Sequence, residues 1–181
     1  MRPKETGFTL FELITTLAII FTAIPMAVSA GQAMLTNNRL TSTANRVFSD
    51  LYYARSEAIL RNARITVRKT GEHWEDGWII FEDDNHNAVL DSHEKLLQKR
   101  GPLPGNITLR GNRPVRQYIS YIGAGFSRRT SGALQAGTLM LCDASASNQP
   151  EHARAIILSS SGRPRISREH RDLRSRRCVD S

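Results

Sequence analysis

Seven arginines, Arg163, Arg165, Arg168, Arg171, Arg174, Arg176 and Arg177, fall within fifteen residues near the C-terminus, opposed there only by Glu169 and Asp172. A guanidinium is planar, stays charged at physiological pH and offers paired N–H donors that fit two oxygens of a phosphate or carboxylate. The chemistry on offer is capture of a polyanion rather than bond making. The whole chain shares the bias, with 21 Arg against 4 Lys and a formal charge of +8 over 181 residues. Gly162 precedes the run, and Pro164 stands between Arg163 and Arg165. The apolar stretch Ala155 to Leu158 reads as a strand ending before Gly162, which predicts that this first pair is presented on an exposed, bendable loop stiffened by the proline. Arg128, Arg129 and Arg154 would widen the patch if the fold brings them near. The competing role for the run is a solvated basic tail, or one docked on acidic groups of neighbouring subunits or on anionic lipid.

A second cluster is acidic. Asp83, Asn85, Asn87, Asp91 and Glu94 occupy positions 1, 3, 5, 9 and 12 of a calcium-loop spacing, with the Val89 carbonyl at 7. Position 6, where the sharp turn wants glycine, is Ala88, and the residues before the loop are strand-like instead of helical. A solvated hairpin loop rich in Asx turns accounts for the same residues. No cofactor is expected. The chain has no Gly-x-Ser-x-Gly elbow, His-Glu-x-x-His pair, phosphate-binding loop or Cys-x-x-Cys, and its five histidines are scattered. A non-enzymatic role follows.

The N-terminal stretch carries one more chemically loaded residue. Residues 8–30 are apolar except for Glu12 and a few hydroxyls, and 23 helical residues span roughly 34 Å, enough to cross a hydrocarbon core of about 30 Å. Arg2 and Lys4 precede the run, so the positive-inside rule leaves the N-terminus in the cytoplasm and the bulk of the chain across the membrane. A buried carboxylate at Glu12 calls for a partner. Pro25 should kink or locally open the helix. In an oxidising space the two cysteines, Cys142 and Cys178, are expected to form a disulfide that staples the tail to the body.

The elements that must position these groups follow from periodicity. Leu40, Ala44, Val47, Phe48, Leu51, Ala54 and Ala58 recur at helical steps, while Arg39, Asn45, Arg46, Asp50 and Arg55 fall largely on the other side. The helix should continue to Arg61-Asn62, with weak places at Gly31 and Asn37-Asn38. The period then changes to short β-type runs at 65–67, 78–81, 107–109, 118–122, 138–141 and 155–158, punctuated by glycines. The expected architecture is α+β: a long N-terminal helix packed against a β-rich antiparallel head. Its predicted divisions are a leader at 1–7, an apolar helix at 8–30, an amphipathic continuation at 31–62, the head at 63–160 and an arginine-rich tail at 161–181.

Gly7-Phe8-Thr9-Leu10-Phe11-Glu12 resembles the type IV prepilin signal. Trp74-Glu75-Asp76-Gly77-Trp78-Ile79-Ile80-Phe81, followed by the acidic loop, is similar to the FimT/GspH family of minor pilins and pseudopilins. The resemblance implies a pilin-like fold and cleavage between Gly7 and Phe8 by a prepilin peptidase, with methylation of the new amine. It also implies pairing of Glu12 with a neighbouring pilin subunit, and passage from a single-pass inner-membrane form with a periplasmic head into a surface pilus. Gly162-Arg163-Pro164-Arg165 resembles the Gly-Arg-x-Arg motif of FimT-type minor pilins that bind DNA for natural transformation, which implies that Gly162, Arg163 and Arg165 contact DNA. The family also holds structural pseudopilins of type II secretion, which implies a second reading without nucleic acid. An adhesin using the acidic loop and calcium is a third.

Overall fold

The computed structural model describes residues 9–143, 153–169 and 172, without the side chains of residues 25–30 and 33. Helix α1 runs from Leu10 to Arg61, 52 residues, and remains helical through Pro25, where a kink or a local opening was expected. Its start is capped by Thr9, whose Oγ1 accepts the Glu12 N–H at 3.2 Å. It ends where Asn62 takes the left-handed conformation (φ 50°). There the Ala63 N–H reaches the Ala58 carbonyl and the Asn62 N–H reaches that of Ile59, the paired bonds of a Schellman stop.

The chain divides into two compact units between Asn38 and Arg39, at the Asn37-Asn38 weak place. In the first unit, Leu10, Phe11, Leu13, Ile14, Leu17, Ile19, Ile20, Phe21 and Ile24 are all exposed, so this part of α1 has no core of its own. Among the described residues no helix is long and apolar enough to cross a membrane. The expected span at 8–30 is thus not met there, and the side chains of residues 25–30, inside that run, are not among those described.

The second unit contains the rest of α1 and eight strands: β1 Ile65–Lys69, β2 Trp78–Glu82, β3 Leu96–Arg100, β4 Ile107–Gly111, β5 Tyr118–Tyr121, β6 Gly137–Asp143, β7 Ala153–Leu158 and β8 Pro164–Ser167. They form two four-stranded sheets, β3-β2-β1-β5 and β4-β6-β7-β8, antiparallel at every pairing. One core joins three surfaces: Leu40, Ala44, Val47, Leu51, Ala54 and Ala58 from α1, Ile65, Val67, Ile80 and Ile119 from the first sheet, and Leu109, Leu139, Leu141 and Ile156 from the second. Each fully buried Leu or Ile contributes about 1.5–3 kcal/mol, so the helical stripe is a main source of stability. The α+β architecture anticipated above is the one observed.

Asp50 departs from its expected place on the solvent side. It is 3% exposed and accepts the indole N–H of Trp78 at 2.9 Å and a two-pronged contact from Arg100, with Nε and Nη2 each at 2.9 Å. A buried carboxylate needs such donors, and here they come from β2 and β3, tying helix to sheet. The neighbouring Trp-Glu-Asp-Gly-Trp string is similarly structural. Trp74 donates to the Val115 carbonyl at 3.0 Å, Glu75 binds Arg110 and accepts the Leu109 N–H at 3.2 Å, and Gly77 sits at φ 110° against the Arg100 carbonyl.

Candidate nucleic-acid interface

The strand β8, Pro164–Ser167, stands where an exposed, bendable loop was expected after Gly162. Pro164 pairs with Leu158, Arg165 with Ile157, Ile166 with Ile156 and Ser167 with Ala155, so the first motif arginines belong to a hairpin at the edge of the second sheet. An edge strand tolerates proline at its first residue because no ladder bond is lost on the open side. Pro164 and Ser167 are buried, whereas Arg163, Arg165 and Arg168 are exposed. The strand therefore turns arginines outward.

Gly162 is buried, not exposed. The Gly162 N–H donates to the Ser159 carbonyl at 3.0 Å and the Ser159 N–H to the Arg163 carbonyl at 3.1 Å, closing a short turn between β7 and β8. Its φ of 79° is left-handed, and a Cβ there would lie 2.5 Å from the Gly125 carbonyl oxygen and 3.0 Å from the Ser127 nitrogen. Glycine is required twice, for conformation and for space. The turn docks on the Gly125–Ser127 backbone, whose Gly125 carbonyl also accepts Arg55 Nε at 2.8 Å. Gly162 thus positions Arg163 rather than offering a ligand contact of its own.

The arginines divide by their partners. Arg61 is held by Glu57 at 2.6 Å and Glu82 at 3.6 Å, Arg100 by Asp50 and Arg110 by Glu75. Arg165 reaches Asp172 at 3.1 Å, and Asp172 also accepts Ser167 Oγ at 2.7 Å. Arg168 donates to Thr41 Oγ1 at 3.2 Å. Arg163 has no ion pair among the described residues. Arg154, named as a possible member of the patch, is buried; burial, and then the nearby Arg168 charge, lower its pKa. Arg128 donates to the Gly132 carbonyl at 3.3 Å, and Arg129 lines a cleft with Arg113, which sequence reasoning did not single out. Arg171, Arg174, Arg176, Arg177 and Cys178 lie outside the described residues, as do Gly7 and Phe8. Cys142 is buried. Glu12 is exposed in the first turn of α1, where a carboxylate complements the helix dipole.

The acidic loop satisfies most of its own polar groups, although Asp83 Oδ1 is buried without a hydrogen-bond partner. Asp83, fully buried, accepts Thr66 Oγ1 at 2.7 Å and the Ala88 N–H at 3.1 Å through one oxygen. Glu94 accepts the N–H groups of Asp84 and Asp91, both at 3.0 Å. Asn85 and Asn87 donate to Asp91 at 2.6 and 2.9 Å and hold its carboxyl below the usual carboxylate range. Their own side-chain oxygens accept the Asn87 and Val89 N–H groups in Asx turns. Among the described residues no group of three His, Cys, Asp or Glu is placed to hold a metal.

Two crystal structures of the type IV minor pilin FimU from Pseudomonas aeruginosa share this fold. One is 22% identical with a TM-score of 0.57, covering 72% of this chain and 89% of that one. The other, in a different crystal form, is 21% identical with a TM-score of 0.54, covering 70% and 91%. No curated protein matches the chain. A family model described as type II transport protein GspH matches residues 43–162, a span that takes in the packed part of α1, most of both sheets and the turn glycine, and stops one residue before Arg163. On that match, over a fold shared with a type IV minor pilin, the chain belongs to the GspH family.

Proposed function

We propose that this chain is a minor pilin that captures DNA at the outer edge of its second sheet for uptake in natural transformation, as do the FimT-type minor pilins whose Gly-Arg-x-Arg motif it resembles. The observation that carries the reading is the β7–β8 hairpin: Gly162 and Pro164 face inward, and Arg163 and Arg165 face solvent. Guanidinium groups grip phosphate oxygens without reading bases, so binding is tolerant of sequence and weakened by salt. Arg168, Arg171, Arg174, Arg176 and Arg177 add positive field, and a Cys142–Cys178 bridge would keep that field close to the sheet. Gly7–Phe8 cleavage by a prepilin peptidase, insertion in the inner membrane and subunit contacts through Glu12 complete the proposal. The exposed large apolar side chains between Leu10 and Ile24 support them, since such a surface needs lipid or other helices to cover it.

Fluorescence anisotropy of the full chain in detergent, with labelled duplexes of unrelated sequence, tests the proposal. Similar affinities are expected, with a log–log salt slope that falls by about 1.8 in Arg163→Gln/Arg165→Gln if each arginine releases roughly 0.9 of a counterion. Unchanged affinity in that variant would remove these residues from the interface. The second reading is a structural pseudopilin of type II secretion that touches no nucleic acid. It is favoured by the family description and by a match that ends at Gly162. Its signature is a protein-export defect on deletion with transformation intact.

A further inference from the structure

A cleft of about 340 Å³ lies between the short 3₁₀ turn Arg113–Val115, the start of β5 and the turn at residues 129–132. Arg113, Gln117, Tyr118, Arg129, Thr130 and Ser131 line it together with Pro114, and no carboxylate does. Two guanidinium groups, an amide and three hydroxyls make a wall rich in donors and free of fixed negative charge. Neither Arg113 nor Arg129 has an ion pair among the described residues. Arg61, Arg100 and Arg110 elsewhere on the head are neutralised by Glu57, Asp50 and Glu75, whereas the cleft keeps both of its positive charges without an acid beside them.

The walls are braced from behind. Gln135, fully buried, donates its amide to the carbonyls of Pro114 at 2.9 Å and Tyr118 at 2.8 Å, locking the 3₁₀ turn to the strand. Tyr118 Oη accepts the Thr130 N–H at 3.0 Å and lies 3.2 Å from its hydroxyl. The Gly132 N–H closes the turn on the Arg129 carbonyl at 2.9 Å. Arg64 Nη1 donates to the carbonyls of Arg128 and Arg129, both at 3.4 Å. The backbone that carries the donors is thus held before any ligand arrives, which lowers the ordering cost of binding.

We infer that this cleft binds a phosphate group through Arg113 and Arg129, with the hydroxyls of Tyr118, Thr130 and Ser131 completing the shell. The group belongs either to a nucleic-acid backbone or to a small soluble phosphate ester. The cleft stands on its own geometry and rests on the DNA reading only for the first source. The Gly162 turn packs on Gly125–Ser127, two residues before Arg129, so a bound strand leaving Arg163 has a second basic landing place on the same chain.

Amide chemical shifts of the full chain in detergent are followed with inorganic phosphate, at ionic strength matched by sodium chloride, and separately with a short duplex. Shifts at Gln117, Tyr118, Thr130 and Ser131 that vanish in Arg113→Gln/Arg129→Gln are expected. With the duplex alone they identify the backbone as the source, accompanied by a salt slope about 1.8 lower in the variant. With phosphate alone they identify a small ester. No shift with either probe, or shifts that survive the double substitution, overturns the inference. The Arg163→Gln/Arg165→Gln variant separates the two claims. DNA binding lost there while the cleft stays silent to both probes defeats the cleft and spares the DNA reading, and a cleft that answers phosphate in a chain that binds no DNA does the reverse.

Discussion

The division of labour within Gly162-Arg163-Pro164-Arg165 is set residue by residue. Gly162 holds a left-handed backbone at φ 79° under the Gly125 carbonyl, Pro164 is buried, and only the arginines face outward. Substituting alanine at Gly162 forces a left-handed non-glycine residue, costing about 1–2 kcal/mol. Its Cβ, 2.5 Å from a backbone oxygen, adds an overpacking strain of roughly 1–3 kcal/mol. Urea denaturation of Gly162→Ala should therefore show a lower midpoint than the parent, while Arg163→Gln, an exposed change, leaves the midpoint where it was. Equal midpoints for Gly162→Ala and parent would mean that the glycine is not a positioning device.

At the scale of elements, much of the fold is legible in the sequence. The helical stripe from Leu40 to Ala58 and the six apolar β runs are recoverable because each is buried by pattern, and burial leaves a period. Two of the four edge strands, Leu96–Arg100 and Pro164–Ser167, are not. The first buries none of its residues and the second buries only Pro164 and Ser167, so both read as loop, whereas the edge strands β4 and β5 bury Ile107, Leu109 and Ile119 and keep an apolar run. Asp50 is hidden for another reason, since its helical position looks solvent-facing and its partners Trp78 and Arg100 are distant in the chain. The arginine motif could be read from spacing, whereas the cleft could not, because Arg113 and Arg129 lie on separate turns that only the fold brings to one cleft. Removing Asp50 tests the helix-to-sheet tie. Arg100 is 40% exposed in its side chain and regains water, but the indole N–H of buried Trp78 is stranded. Asp50→Ala should thus cost about 1–3 kcal/mol, the penalty for one unsatisfied buried donor, and less than loss of a fully buried ion pair, ~3–5 kcal/mol. Thermal unfolding of Asp50→Ala reports it, and no loss of stability would show the tie to be incidental.

For the whole molecule, a formal charge of +8 is a poor guide to the binding surface, because several guanidinium groups are spent on internal carboxylates. What reaches a ligand comes from the rest, which among the described residues includes Arg163 at the hairpin, Arg113 and Arg129 at the cleft, and Arg165 to the extent that Asp172 releases it. The Arg165–Asp172 pair at 3.1 Å has an arginine side chain 53% exposed, and such surface pairs are worth only about 0–1 kcal/mol. A phosphate can therefore compete for Arg165, though Asp172 opposes it with its own charge. Asp172→Asn keeps an oxygen that can accept from Ser167 and removes the negative charge, so the fold should be little changed while the field at Arg165 strengthens. The full chain carrying Asp172→Asn is expected to bind duplex DNA more tightly at low salt, with a log–log salt slope steeper by up to about 0.9 as one further phosphate is neutralised. The same substitution made on Arg165→Gln should change neither the contact count nor the slope. Tighter binding in the single variant that persists undiminished on the Arg165→Gln background would place the effect in the general field of the tail instead of at the hairpin.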